Sequence, residues 1–499
     1  MIGIIFASLP SLFLLANLDL PLMEDGLFWW VPQALIAAER GLSWAPSGEL
    51  PLACRPDLPL PPQWAGGIPD YGHPPLWTSW LALWLRVLGP SARAVHLACL
   101  PAALGVGVGL VALSRRLGGG EAGALPALLC PALLLQVLRP DTDLPLLAFS
   151  LGALVAALDR RPLRYALLSS LAVASKEPGV LLVLPALLVA LRTPSFRWAA
   201  LAPPLALLAW ALVHRATAGW GLAGSETLAP TLLAWLRNLG SVARIVLLDG
   251  GRWAPTLSGL LAPLLAPLLA RHLAHHGRAS LSRAPAERLL LAWILLQLFF
   301  FAGVNFLGGR DHVDALTHVR YLLPALLVAL IWSVSRVLRA LPPARLALPA
   351  LALLLLPSLL GARARDPRGP EANLYGWDLA RAWREALPHV EALAAPGNRL
   401  TDPPPPPILV ESYLFTALTR PFAGLVREPV PGLLPHGFDT DPDAVPSGSL
   451  VVTASHGEPL SRLGERVLRE THRVRVGEAW VAFLVMEEGR VAGPARPRP

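Results

Sequence analysis

Lysine is almost missing from this 499-residue chain: of its 42 basic residues one, Lys176, is lysine and the rest are arginine. Charge of either sign is sparse, at 15% of residues against 54% hydrophobic. That balance excludes a soluble globule, which would carry large apolar patches into water. A bilayer has to be the solvent for most of the chain. Cysteine is limited to Cys54, Cys99 and Cys130, too few and too scattered for a disulfide framework or a zinc site. No internal repeat and no nucleotide-binding motif is present. The net charge of +8 would suit an anionic partner, but the arginines lie between apolar runs, where they orient a chain in a membrane. Nucleic acid is therefore not an expected partner.

What is there is a succession of apolar runs. Residues 2 to 22 are long enough to cross a hydrocarbon core of about 30 Å and carry no small-residue cleavage site before Glu24-Asp25, so they predict a first transmembrane helix. Further spans are predicted near 94–114, 121–138, 144–158, 165–175, 179–191, 198–213, 254–271, 289–306, 321–335 and 346–361, about eleven in all. The segment 74–89 is apolar enough to count as another. Its Trp77, Trp80 and Trp84 fall on one stripe with Leu81, Leu85 and Leu88, while Ser79, Ala82 and Arg86 face away, which predicts a helix lying in the headgroup region. With 74–89 interfacial, the loops 115–120, 159–164, 192–197, 271–288 and 336–345 share one side and hold 14 arginines. The positive-inside rule makes that side cytoplasmic and places Glu24-Asp25 outside.

The apolar runs stop after residue 361. The tail has an amphipathic helix pattern from Asp378 to Leu393 and strand-like runs at Ile408–Val410, Leu450–Thr453 and Val481–Val485. The expected architecture is an α-helical polytopic membrane region, residues 1–361, with a first outer loop at 23–93 carrying interfacial helices. A small soluble α/β domain, 362–499, follows on the outer side. The pentaproline Pro403–Pro407 reads as a stiff spacer.

Several charged groups fall on the outer side. Glu24-Asp25 follows the first span; it can cap the next helix, or it can act as a general base toward an acceptor hydroxyl or amine. His73, held at the membrane surface by Pro74-Pro75, can be a polar anchor or donate to a phosphate. Lys176, in Ser-Lys-Glu-Pro-Gly between two apolar runs, is an intramembrane ionisable group and so a functional candidate by default. Its bland alternative is a salt bridge to Glu177. Arg139, Asp141 and Asp143 follow the third span, and Arg320-Tyr321 opens the tenth. Carboxylates beside an anion-binding set suit glycosyl transfer from a lipid phosphate. His272, His275 and His276 have helical metal-ligand spacing but fall in a basic cytoplasmic loop, and Asp311, His312 and Asp314 form a loose set.

Taken together, Glu24-Asp25, His73–Leu76 (HPPL), Arg139-Pro140-Asp141, Lys176–Gly179 (K-x-x-G) and Arg320–Pro324 (RYLLP) resemble, in order and spacing, the GT-C superfamily of polyprenyl-phosphate-sugar-dependent membrane glycosyltransferases. The branch resembled contains the lipid A aminoarabinose transferases and protein O-mannosyltransferases. The likeness covers roughly residues 1–340, and Tyr375-Gly376-Trp377 followed by a helix resembles the outer domain of bacterial members. The resemblance implies Asp25, with Glu24 as alternate, as catalytic base. It implies Lys176 and Arg320 on the carrier phosphate, with His73, Asp141 and Tyr321 completing the binding set. It further implies a polyprenyl-phosphate-linked sugar donor, an acceptor lipid, glycan or protein, and an inverting reaction in the inner membrane with its site facing the periplasm. The reaction implied needs no nucleotide, and the resemblance leaves a divalent cation open as cofactor. A multi-span transporter or lipid flippase, or a non-enzymatic envelope assembly subunit, is the alternative.

Overall fold

The computed structural model describes residues 2–23, 25–41, 73–218, 227–228, 231–247, 284–305, 319–340, 374–395, 408–436, 448–454, 462–463, 466–477 and 479–490. The membrane region is helical: α1 (Ile2–Leu15), a π-helical turn (Gly26–Trp30), α2 (Val31–Arg40), α3 (Leu76–Leu88), α4 (Ala92–Arg116), α5 (Leu125–Leu128), α6 (Pro131–Leu138), α7 (Asp143–Leu158) and α8 (Pro162–Ser175). After a 3-10 turn (Glu177–Leu182) come α9 (Val183–Ala190), α10 (Phe196–Ala199), α11 (Ala202–Ala218), α12 (Leu232–Leu247), α13 (Ala284–Gly303) and α14 (Val319–Ala340). A two-residue ladder, β1 (Thr227–Leu228) with β2 (Val304–Asn305), ties the approach to α12 to the end of α13.

Among the described residues two helical stretches, Ala92–Arg116 and Phe196–Thr217, are long and apolar enough by themselves to cross a bilayer, and a bent pair, Pro131–Leu138 with Asp143–Leu158, makes a third. The expected spans at 254–271 and 346–361 lie outside the described residues. The expected span 121–138 is not one helix. It divides into a 3-10 turn, α5 and α6, with a break at Leu129-Cys130. Pro131 takes the first position of α6, where its missing N–H costs nothing. Hydropathy cannot see such a break, because every residue around it is apolar.

The helices meet through small residues. A Cβ on Gly107 of α4 would collide with the Ala7 carbonyl of α1, so these two backbones touch, as small residues allow in membrane helix pairs. Ser91 starts α4 by accepting from the Ala94 N–H at 3.2 Å, and Arg115 and Arg116 close it at the negative end of its dipole. The buried face of α3 differs from the expected stripe. Trp77, Leu81, Leu85 and also Ala82 are buried, whereas Leu88 is exposed along with Leu83 and Val87. Packing by α2 on one side and α4 on the other widens and rotates the covered arc.

The C-terminal region opens with α15 (Tyr375–Ala394), whose buried Trp383, Ala386 and Val390 lie on one face. A six-stranded sheet follows, made of β3 (Ile408–Glu411), β4 (Leu433–His436), β5 (Leu450–Ala454), β6 (Arg462–Leu463), β7 (Arg466–Val476) and β8 (Ala479–Arg490) in the order β4-β3-β5-β8-β7-β6. Strand β3 runs parallel to β4 and β5; the other pairs are antiparallel. Alternation along β8 sends Val481 and Phe483 toward α15 and the main core, and Trp480, Ala482 and Leu484 into a separate cluster on the opposite face. Helix α16 (Ser412–Thr419) crosses from β3 toward the membrane region.

This region is joined to one end of the helix bundle. The Leu22 N–H donates to the Ala423 carbonyl at 2.8 Å, and the Trp377 indole donates to Asn17 Oδ1 at 2.8 Å. Gly424, at φ +81°, lets the chain press against Ala92; a side chain there would be both strained and obstructed. One hydrophobic core runs from Leu14, Val95 and Leu144 through to Trp383, Phe415 and Phe422.

Candidate active site

Two chain breaks build the site. At the first, α6 ends because Arg139 precedes Pro140, which forces Arg139 into an extended conformation (φ −101°, ψ 128°). The chain restarts as α7 after a turn of 120°, with the Leu144 N–H bonded to the Asp141 carbonyl at 3.4 Å and the Leu146 N–H to the Thr142 carbonyl at 3.2 Å. Arg139, Asp141 and Asp143 are thereby crowded into one corner. The Trp77 indole of α3 donates to the Pro140 carbonyl at 2.6 Å, and Gly26 lies so close that a Cβ would come within 2.7 Å of the proline ring. Asp25 is thus brought beside the Arg139-Pro140-Asp141 corner by its neighbour in sequence.

At the second break α8 stops at Ser175, and Lys176 is fully extended (φ −164°, ψ 142°). Pro178 starts the 3-10 turn, and Gly179 folds back on α8 so tightly that a Cβ would sit 2.5 Å from the Val173 nitrogen. The break gives Lys176 extended backbone and starts the 3-10 turn at Glu177, and the two side chains take different partners. Lys176 Nζ meets Asp143 Oδ1 at 2.8 Å, with both side chains less than a tenth exposed. Glu177 takes His73 instead: Nδ1 lies 2.7 Å from Oε2 and 3.0 Å from Oε1. The Trp30 ring lies against the imidazole, centroids 5.5 Å apart. Arg139 Nε approaches Asp141 Oδ2 to 3.1 Å, an ion pair whose angle is too poor for a hydrogen bond.

Two cation–carboxylate pairs and the His73–Glu177 hydrogen-bonded pair therefore meet where four separate stretches of chain converge. This corrects two readings of the sequence. The partner of Lys176 is Asp143 rather than Glu177, and His73 is hydrogen-bonded to Glu177 rather than a lone anchor. Of the Glu24-Asp25 pair, Asp25 occupies the position before the π-helical turn and makes no capping bond with its side chain. Glu177 was the residue that sequence reasoning passed over as a site member, having been read only as a salt-bridge partner for Lys176, while Asp143 was named among the outer charges without an assigned role.

Asp143 also borders a narrow crevice with Ser150, Pro178, Trp293, Gln297 and Pro324. Pro324 lies one turn after Arg320 in α14, so the RYLLP segment reaches the same crevice as the Lys176 break. Arg320 and Tyr321 belong to the first turn of α14, and their side chains lie outside the described residues, as do Glu24 and the His272, His275, His276 and Asp311, His312, Asp314 sets. On the other side of the corner, Arg139 lines a second crevice with His96, Met23, Gly376, Trp377 and Ala380, which brings α15 next to the charged cluster. Among the described residues no three His, Cys, Asp or Glu side chains gather as a metal site. Asp141, Asp143 and Glu177 are each held by a basic group, so a divalent cation would have to compete with those pairs.

No protein-family model and no curated protein matches the chain. Among solved structures it is similar to ArnT from Cupriavidus metallidurans bound to undecaprenyl phosphate, with a TM-score of 0.47 and 14% identity over 99% of each chain. It is similar also to ArnT from the same organism in the apo state, with a TM-score of 0.48 and 14% identity over 96% of this chain and 97% of that one. The likeness runs nearly the full length of both chains and stays below the level at which a shared activity follows.

Proposed function

We propose that this chain is an inverting GT-C membrane glycosyltransferase that moves a sugar from a polyprenyl-phosphate carrier to a lipid, glycan or protein acceptor on the outer face of the cytoplasmic membrane. On this reading residues 1–361 form the catalytic membrane region and 362–499 the outer α/β unit. The observation that carries it is the placement of the chain's one lysine, buried at a helix break against Asp143, beside the His73–Glu177 pair and in the same corner as Asp141.

An ammonium has three donors. Asp143 fixes its position through one, and a phosphate entering the corner is met by the same point charge. Arg320, from the first turn of α14, is the second phosphate ligand, with Tyr321 beside it. Charge then develops on the leaving phosphate in front of groups already oriented, which lowers the barrier without reorganisation at the moment of reaction. Asp25, whose carboxylate is not used in capping, takes the proton from the acceptor hydroxyl or amine; Glu24 is the alternate. The acceptor atom bonds to the anomeric carbon as the carbon–phosphate oxygen bond breaks on the opposite face, so the anomeric centre inverts. No step requires a metal.

Transfer of radiolabelled sugar from a polyprenyl-phosphate donor pool to endogenous acceptors in membranes tests this reading. Asp25→Asn should lower the rate by about a hundredfold or more, the usual worth of a general base, and Lys176→Ala should abolish transfer at matched expression. Absence of labelled product from the wild type, across several donor sugars, would overturn it.

A further inference from the structure

The opposite end of the bundle holds a cavity of about 500 Å³ among the ends of α4, α7 and α9 and the start of α13. Arg116, Arg160, Arg192 and Arg288 line it. Topology alone accounts for arginines at helix ends, and Arg116 behaves that way: it pairs with Asp159 at 2.5 Å and donates to the Ala112 carbonyl at 2.8 Å, holding the Asp159 carboxyl below its usual range chiefly through that hydrogen bond. Arg160, Arg192 and Arg288 do neither. Among the described residues none of the three has a hydrogen-bond or ion-pair partner.

The backbone adds an independent observation. Helix α7 ends with the Arg161 N–H on the Ala156 carbonyl at 2.9 Å and the Arg160 N–H on the Ala157 carbonyl at 3.1 Å, a closure that puts Arg160 in the left-handed region at φ +56°. Glycine is unstrained there, and among the described residues Arg160 is the one non-glycine with positive φ. Strain of this kind is found where a side chain has a task. The wall between the arginines is mostly apolar, with Thr193 and with Glu287, whose carboxylate is paired to Arg336, and it runs out onto exposed leucines of the flanking helices: Leu191 is 82% exposed, and Leu187, Leu291 and Leu295 are also exposed. A cavity with a cationic rim and an apolar flank open to lipid fits a phosphate on an acyl chain better than a free one.

We propose that this cavity binds the phosphodiester headgroup of an anionic phospholipid through Arg160, Arg192 and Arg288, at the end of the bundle away from the reaction. The full-length protein in micelles containing equal phosphatidylglycerol and phosphatidylcholine should retain phosphatidylglycerol selectively in native mass spectrometry. At roughly fivefold per arginine near an anionic lipid, the triple variant Arg160→Gln, Arg192→Gln, Arg288→Gln should lower that retention by about a hundredfold. Arg160→Gly separates binding from folding: it relieves the left-handed strain, so its melting temperature in phosphatidylcholine should equal or exceed the wild type while phosphatidylglycerol retention falls about fivefold. Undiminished retention in both variants would overturn the proposal. So would inorganic phosphate displacing the lipid at millimolar concentration, since the site would then be one for free phosphate.

Discussion

Lys176 and Asp143 are paired with little access to water, and a buried pair is sensitive to how it is broken. Removing one partner leaves an uncompensated charge at a cost of about 3–5 kcal/mol, whereas replacing both by apolar groups of similar volume is near neutral. Lys176→Met should therefore lower the thermal stability of the purified protein sharply, and Lys176→Met with Asp143→Leu should recover most of it. Neither should transfer sugar. A double variant as unstable as the single one would mean that Lys176 is held by something other than Asp143. The sequence singled out Lys176 as a candidate, because an ionisable group between apolar runs is a functional hypothesis by default. Its partner was not legible. Neighbours in sequence suggested Glu177, but at the break the two side chains take different partners, and only the meeting of α7 with the end of α8 shows which acid each base receives.

At the scale of elements, the breaks matter more than the helices they separate. Gly179 has no room for a methyl group against the Val173 nitrogen, since backbone cannot yield as a side chain can. Gly179→Ala should cost about 1–3 kcal/mol in thermal unfolding, the usual penalty of overpacking, and should lower transfer more than Gly240→Ala, whose added Cβ meets nothing within 4 Å. Equal activity in the two variants would remove the tight fold-back from the mechanism. The K-x-x-G pattern announced this break in advance because proline and glycine stand together there beside two charged residues in an otherwise apolar run. The break inside 121–138 was hidden, since Leu129 and Cys130 are as apolar as the helices on either side. The buried arc of α3 was misjudged for a different reason. A stripe read from sequence assumes one packing partner, and α3 has three, α2, α4 and α8.

The whole molecule has two unlike ends, one with carboxylate–cation pairs beneath the C-terminal region, the other lined by arginines. The C-terminal region was well legible, because the strand-like runs Ile408–Val410, Leu450–Thr453 and Val481–Val485 and the helical pattern of 378–393 each survive as a strand or helix. Its seat was not legible, since the contacts of Asn17 with Trp377 and of Ala92 with Gly424 join residues hundreds of positions apart. Within the region, the packing of α15 on the sheet should depend on pH. On α15, His389 packs against Phe483 and His472, ring centroids 4.4 Å from each. Desolvation, and then the charge of His472, hold its pKa below the ordinary 6.5. The unfolded chain then binds the proton more readily than the folded one, so the contribution to stability is complete above about pH 6.5 and is lost as pH falls from there toward the depressed folded value. Hydrogen exchange in α15, β7 and β8, corrected for intrinsic rates, should therefore quicken between about pH 7.5 and pH 5.5, and His389→Phe should remove most of that change. Because α15 also carries Gly376, Trp377 and Ala380 to the crevice of Arg139, an acid-loosened helix should expose the same corner in which transfer is proposed. Exchange that quickens equally in the variant would assign the pH dependence to another group.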